Sequence, residues 1–273
     1  MYCCMTRTMV DIFRNLFSPR GSSRRPALPP GQRVYAIGDI HGRLDLFTAL
    51  GEAIERDDRQ RGPADSTVIL LGDLIDRGPQ SARVIGMAQA WSRGRKVRFL
   101  SGNHEEMFLL SFSKSDVFRN FIKHGGRETI LSYGVSAAEL AAASLDEARA
   151  LMTRAVPRQD RAFLHGFETM ITLGDYQFVH AGIRPDTPLE RQTGQDCRWI
   201  REPFLSHEGS FGKVVVHGHT VFEDVDDRPN RIGIDTGAFM SGTLTALGLE
   251  GTDRWLIQTS DTGERIETMS RAA

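Results

Sequence analysis

Five short apolar runs in this chain each end on a histidine, aspartate or asparagine beside glycine, and that recurrence constrains the fold most. VYAI (34–37) runs into GDIHG (38–42), TVILL (67–71) into GDLIDRG (72–78), and VRFL (97–100) into SGNHE (101–105). Further on, YQFV (176–179) is followed by HAG (180–182) and KVVV (213–216) by HGHT (217–220). Such β-branched and aromatic runs, closed off by glycine, read as buried strands. Each strand then delivers a polar side chain just past its C-terminal end, where open α/β sheets gather ligands. Glycine there permits a tight turn and close backbone approach to an ion or phosphate. A single Gly-Asp pair after a strand is usually only a turn, and a lone histidine is more often structural. Five in succession point to one polar site.

The intervening pattern sets the fold class. Leu44, Phe47, Leu50 and Ile54 recur at near-helical spacing, as do Val84, Met87, Ala88 and Trp91. Strand-like runs continue with RIGI (231–234), LTALGL (244–249) and RWLIQT (254–259). Strand and helix alternating early, with strands crowded late, predict a layered α/β (α+β) domain with some antiparallel sheet. Residues 105–172 read as a mostly helical cap beside the sheet. AAELAAASLDEARALM (137–152) is its clearest stretch, and Pro157 a break.

Charge divides the chain unevenly. The formal net charge is −1, which gives no reason to expect a nucleic-acid partner. Yet residues 1–33 carry Arg7, Arg14, Arg20, Arg24, Arg25 and Arg33 against Asp11 alone, a local net of +5. With the Pro/Ser/Gly-rich run at 18–31, this predicts a flexible basic leader over 1–32 and one domain over 33–273. A short amphipathic stretch (Met9, Ile12, Phe13, Leu16, Phe17) leaves membrane-surface contact as an alternative to a frayed terminus, the preferred reading. Cys3, Cys4 and Cys197 make a poor disulfide framework and are read as reduced thiols in a cytoplasm.

A ligand set of imidazole, carboxylate and amide oxygen without cysteine suits manganese, iron or zinc rather than a structural zinc. A pair of such ions about 3.5–4 Å apart can clamp the attacking and leaving oxygens of a phosphoryl transfer. In their order and spacing, GD-x-HG, GD-x-x-DRG, GNHE, HAG and a final GH resemble the PPP-type metallophosphatases of the calcineurin-like superfamily. That family includes bacterial and phage serine/threonine protein phosphatases and symmetrical dinucleoside tetraphosphatases. The resemblance runs from about Val34 to Gly248 and implies a central β-sandwich of mixed sheets flanked by helices.

It also implies roles. Asp39 and His41 would hold the first of two divalent ions, with manganese expected and iron or zinc open. Asp73 would bridge, and Asn103, His180 and His219 would complete the second. A hydroxide between the ions would attack phosphorus in line, His104 would protonate the leaving oxygen, and Asp76 would orient His104. Arg77 would bind phosphate, and so would Arg201, chosen over Arg198 by the family's tryptophan-x-arginine pattern. His217 is read as a supporting histidine, and Asp235 as closing a turn near the site. The expected activity is a serine/threonine protein phosphatase acting on a phosphoprotein or small phosphoester. A symmetrical dinucleoside tetraphosphatase is the alternative, and a non-catalytic metal-binding adaptor is the reading from another class.

Overall fold

A computed structural model describes residues 25–269, and the basic amphipathic stretch at 9–17 lies outside them. Two mixed β-sheets stack face to face. The first has six strands: β1 (Gln32–Ile37), β2 (Asp65–Leu70), β3 (Val97–Phe99), β9 (Thr243–Glu250), β10 (Asp253–Ser260) and β11 (Gly263–Thr268), in the order β11-β10-β9-β1-β2-β3. The second has five: β4 (Met170–Leu173), β5 (Tyr176–Val179), β6 (Val214–His217), β7 (Asp226–Asp227) and β8 (Arg231–Gly233), in the order β4-β5-β6-β8-β7. β1, β2 and β3 run parallel, as do β5, β6 and β8, while β9, β10 and β11 pair antiparallel.

Burial on both faces explains why the early strands are continuously apolar. Along β1, Val34 and Ala36 enter the core between the sheets, while Tyr35 and Ile37 enter the core beneath the helices. β9 divides in the same way, with Leu247 and Leu249 on one face and Leu244 and Ala246 on the other. Helices α1 (Leu44–Arg61) and α2 (Ser81–Gly94) cross between the parallel strands of the first sheet. The layered α/β class and the flanked sandwich are therefore present.

Eight strands coincide with the apolar runs of the sequence; β4, β7 and β11 fall outside those runs. β7 is two residues long, too short to show alternation. The helical block comprises α3 (Asn103–Ser111), α4 (Ser115–Phe121), a π-helical turn (Ile122–Gly126), α5 (Arg127–Ser132), α6 (Ala137–Ala142), α7 (Leu145–Ala155) and α8 (Arg158–His165). It closes at His165, because Met170–Leu173 is already strand. The 137–152 stretch is two helices: Ser144 caps the second, its hydroxyl accepting from the Glu147 N–H. Pro157 stands where a break was expected, as the residue before α8.

The fold also starts before residue 33. Leu28 is buried in the inter-sheet core, its N–H donating to the Gly251 carbonyl, and the Ala27 N–H donates to the Asp175 carboxylate. Leu28 thus belongs to the core, and β1 already begins at Gln32. No described helix is long and apolar enough to cross a membrane.

Candidate metal centre

The C-terminal ends of the parallel strands in both sheets meet at one place. The loop after β1 carries Asp39 and His41, that after β2 carries Asp73, Asp76 and Arg77, and that after β3 leads into Asn103 and His104 at the start of α3. From the second sheet come His180 after β5, His219 after β6 and Asp235 after β8. All but Arg77 are buried.

The turns are held in an unusual backbone state. Among the described residues six non-glycine positions have positive φ, and five of them are His41, Asp73, Asp76, Arg77 and His219. Each costs on the order of 1 kcal/mol. The loops tolerate it because they are stitched together: the His41 N–H donates to the Asp73 carbonyl at 2.9 Å and the Gly78 N–H to the His41 carbonyl at 3.0 Å. Glu105, fully buried, accepts from the N–H groups of Asp73 (2.8 Å), Leu74 (2.8 Å) and Gly102 (2.9 Å).

Asp73 sits at the centre. Its Oδ2 lies 3.6 Å from His41 Nε2 and its Oδ1 lies 3.5 Å from His180 Nε2, so its two oxygens face different histidines. The His41 Nδ1–H donates to the Ile75 carbonyl at 2.7 Å and the His180 Nδ1–H to the Leu71 carbonyl at 2.8 Å. Those bonds select the tautomer that leaves each Nε2 lone pair directed inward. Asn103 Oδ1 approaches His180 Nε2 at 3.1 Å. His219 Nε2 is buried without any hydrogen-bond partner, and its backbone N–H donates to Asp39 at 3.1 Å. Potential ligand atoms of Asp73, His180 and His219 lie within 4.8 Å of one another, as do those of His41, Asp73 and His104.

The charges are frustrated without a cation. Burial pushes the Asp39 carboxyl well above the usual range, reinforced by Asp235 and Asp73, and pushes Asp73 up to about 6 against the pull of His104. Burial also lowers His180 to about 4 and His219 to about 2, and holds His41 well below its usual value. Crowded carboxylates, neutral imidazoles and an orphaned ring nitrogen are what divalent ions would satisfy. The residues fit such a group.

Beside this cluster, His104 Nδ1 is bonded to Asp76 Oδ2 at 2.6 Å, and its Nε2 faces Arg77 Nη2 at 3.2 Å. Arg77 lies over the Phe239 ring at 4.5 Å, and that ring meets His41 edge-on at 5.4 Å. Arg201 is exposed and reaches the His219 carbonyl at 3.5 Å, whereas Arg198 is engaged by Glu106 at 2.6 Å. The His217 ring lies edge-on to Phe204 at 5.0 Å and belongs to neither group of clustered ligand atoms. Asp235 accepts from the Gly237 N–H at 2.9 Å, closing the anticipated turn, and faces Asp39.

Sequence reasoning gave no role to Thr129, Ser81, Glu105 or Phe239. The Thr129 hydroxyl donates to Asp76 Oδ1 at 2.6 Å and accepts from the Asp76 N–H at 2.9 Å; Ser81 Oγ accepts from that same N–H at 3.0 Å. Glu105 had a legible signal, as the acid of SGNHE at the third position of a helix, where a carboxylate turns back to the cap.

Residues 32–238 match the family model described as calcineurin-like phosphoesterase. The chain belongs to the calcineurin-like phosphoesterases. Within that family it is 30% identical to an asymmetrical bis(5'-nucleosyl)-tetraphosphatase of Bacillus subtilis, over 77% of this chain and 87% of that protein. It is 24% identical to a symmetrical bis(5'-nucleosyl)-tetraphosphatase of Nitrosospira multiformis, over 83% of this chain and 95% of that one. The fold is shared with a cold-active protein tyrosine phosphatase of known structure: TM-score 0.56, 19% identity, 90% of this chain and 82% of that chain covered. As a calcineurin-like phosphoesterase the chain is a metal-dependent phosphoester hydrolase.

Proposed function

We propose that this phosphoesterase hydrolyses dinucleoside tetraphosphates, using two divalent ions held by Asp39, His41, Asp73, Asn103, His180 and His219. The observation that carries the metal assignment is the Asp73 carboxylate, whose two oxygens face different inward-directed histidines at 3.6 and 3.5 Å. The substrate class rests on the relatives, which include both asymmetrical and symmetrical tetraphosphatases over most of the chain. This replaces the serine/threonine phosphatase expectation as the leading reading.

When bound, the ions supply Lewis acidity, lowering the pKa of water and neutralising phosphate oxygens. The chain's own residues do the rest. Arg77 donates to the phosphate through its planar fork, and its seat over Phe239 fixes the fork's plane. Arg201 offers a second cation at the open edge. His104 delivers a proton from Nε2 to the departing oxygen, and Asp76 on Nδ1 sets the tautomer and holds the charged ring. The helices and both sheets bury this pair, which strengthens every polar contact within it.

Protein phosphomonoesters are the second reading, favoured by one observation: the 2.6 Å bond between His104 and Asp76. A serine alkoxide needs a proton to leave, whereas a nucleotide phosphate departs with little help. Manganese-loaded protein incubated with diadenosine tetraphosphate tests the proposal. ATP with AMP would mark asymmetrical cleavage and ADP alone symmetrical cleavage; neither product, with release from a phosphoserine peptide, would move the assignment to the second reading. Asp73→Asn should abolish turnover and bound metal together, and retained metal would refute the bridging role.

A further inference from the structure

Four large apolar side chains stand exposed among the described residues: Trp199, Val221, Met240 and Ile266. Scattered singly, such residues need no explanation. Three of the four lie on segments that also carry residues of the candidate centre or its edge (Trp199 near Arg201, Val221 after His219, Met240 after Phe239), whereas Ile266 lies on β11. The Trp199 Nε1–H donates to Glu106 at 2.5 Å, and Glu106 is two residues beyond His104 in the first turn of α3. Glu106 also accepts from Arg198 at 2.6 Å. The indole is thereby fixed through its nitrogen edge while 39% of the residue stays exposed.

Val221 follows His219 by two residues. A Cβ built on Gly237 would sit 2.9 Å from Val221 Cγ1 and 3.6 Å from Met240 Cε, so both side chains border the space over that glycine. Met240, 68% exposed, adjoins Phe239, which carries Arg77 on its face. The mouth of the site therefore combines two apolar surfaces from separate elements with the guanidiniums of Arg77 and Arg201. A ligand complementary to that pattern is strongly anionic in its middle and flat and apolar at its ends.

We propose that Trp199, and separately the Val221–Met240 pair, are the surfaces on which the two nucleobases of a dinucleoside polyphosphate rest, with the phosphates reaching Arg77 and Arg201. This rests on the tetraphosphatase reading and adds to it the sites that recognise the nucleosides. Stacking of a base on an indole tolerates any base, because every base presents a π-face. Recognition here is consequently of nucleosides as a class. The sulfur and methyl of Met240 supply an adaptable surface against the second base.

The test separates bases from phosphates. Titration of the full-length, manganese-loaded protein with AMP should quench tryptophan emission and show an affinity about tenfold above that of ribose 5-phosphate, the same phosphate without a base. Trp199→Phe should alter that quench, while Trp91 and Trp255 remain as internal controls. In kinetics, Trp199→Ala and Met240→Ala should each raise KM for diadenosine tetraphosphate by about five- to tenfold relative to the inhibition constant of inorganic tripolyphosphate. Met240, being largely exposed, tests the idea without risk to folding.

Equal affinity for AMP and ribose 5-phosphate would overturn the proposal. So would variants that shift only the KM for a phosphopeptide with apolar residues flanking its phosphoserine, which would assign the surfaces to a protein substrate. Base-dependent binding without cleavage of diadenosine tetraphosphate would leave the nucleobase surfaces standing and sink the hydrolytic reading alone. Cleavage without base preference would do the reverse.

Discussion

Asp76 is bonded on every side. One carboxylate oxygen takes the His104 ring, the other takes the Thr129 hydroxyl at 2.6 Å, and the backbone N–H is shared between Thr129 and Ser81. Thr129 belongs to the helical cap, so the cap braces the His104–Asp76 pair rather than merely covering it. Losing one partner of a buried charged group costs about 1–3 kcal/mol. Thr129→Val should therefore slow phenyl phosphate, a poor leaving group, by about tenfold or more, and p-nitrophenyl phosphate much less, with Thr129→Ser restoring both. Equal losses on both esters, unrepaired by serine, would reduce Thr129 to a packing residue. Asp39, His41, Asp73, Asn103, His180 and His219 could be named from sequence because each sits in a glycine-flanked motif at a strand end. Thr129 could not. Its partner is 53 residues away, and nothing local marks a threonine whose hydroxyl must face a buried carboxylate.

At the scale of elements, the π-helical turn Ile122–Gly126 is where the cap meets the loop that carries Asp73, Asp76 and Arg77. The Arg77 N–H donates to the Gly125 carbonyl at 3.1 Å. Gly125 has φ +106, and a Cβ there would lie 2.6 Å from Arg77 N and 2.8 Å from its Cγ. Both the backbone conformation and the space demand glycine. Gly125→Ala should destabilise the fold by at least about 1 kcal/mol and weaken inhibition by inorganic phosphate, because Arg77 must move. A variant with unchanged phosphate inhibition would show that Arg77 is held without the turn. Strands buried on both faces were readable because their apolar runs are unbroken. The interruption of 137–152 was also readable in principle, since Ser144 and Glu147 form a capping box, but the surrounding alanines mask it. The two-residue β7 and the edge strand β11 carry no such pattern and exist only through their neighbours.

For the whole molecule, the convergence of two sheets places more negative charge in the interior than the protein alone can neutralise. Burial and neighbouring carboxylates hold Asp39 and Asp76 well above the usual range, and Glu105 up to about 7. A carboxyl with a raised folded pKa binds its proton more tightly folded than unfolded. It contributes least as pH rises, so stability falls through that window. The buried histidines act oppositely. Burial lowers His180 and His217 each to about 4, so their cost appears only as pH drops below the ordinary imidazole value of about 6.5. Above that value the histidines are neutral in both states, and the carboxylates alone govern the slope. Metal-free protein should accordingly lose melting temperature as pH rises from about 6.5 through about 7, where Glu105 gives up its proton. Divalent ions replace the missing protons, and free metal a hundredfold above Kd should add about 2.7 kcal/mol per site. Calorimetry with and without manganese across that range checks both signs. A metal-free melting temperature that rises with pH, or one that manganese leaves unchanged at pH 8, would mean that these carboxylates do not share a cation.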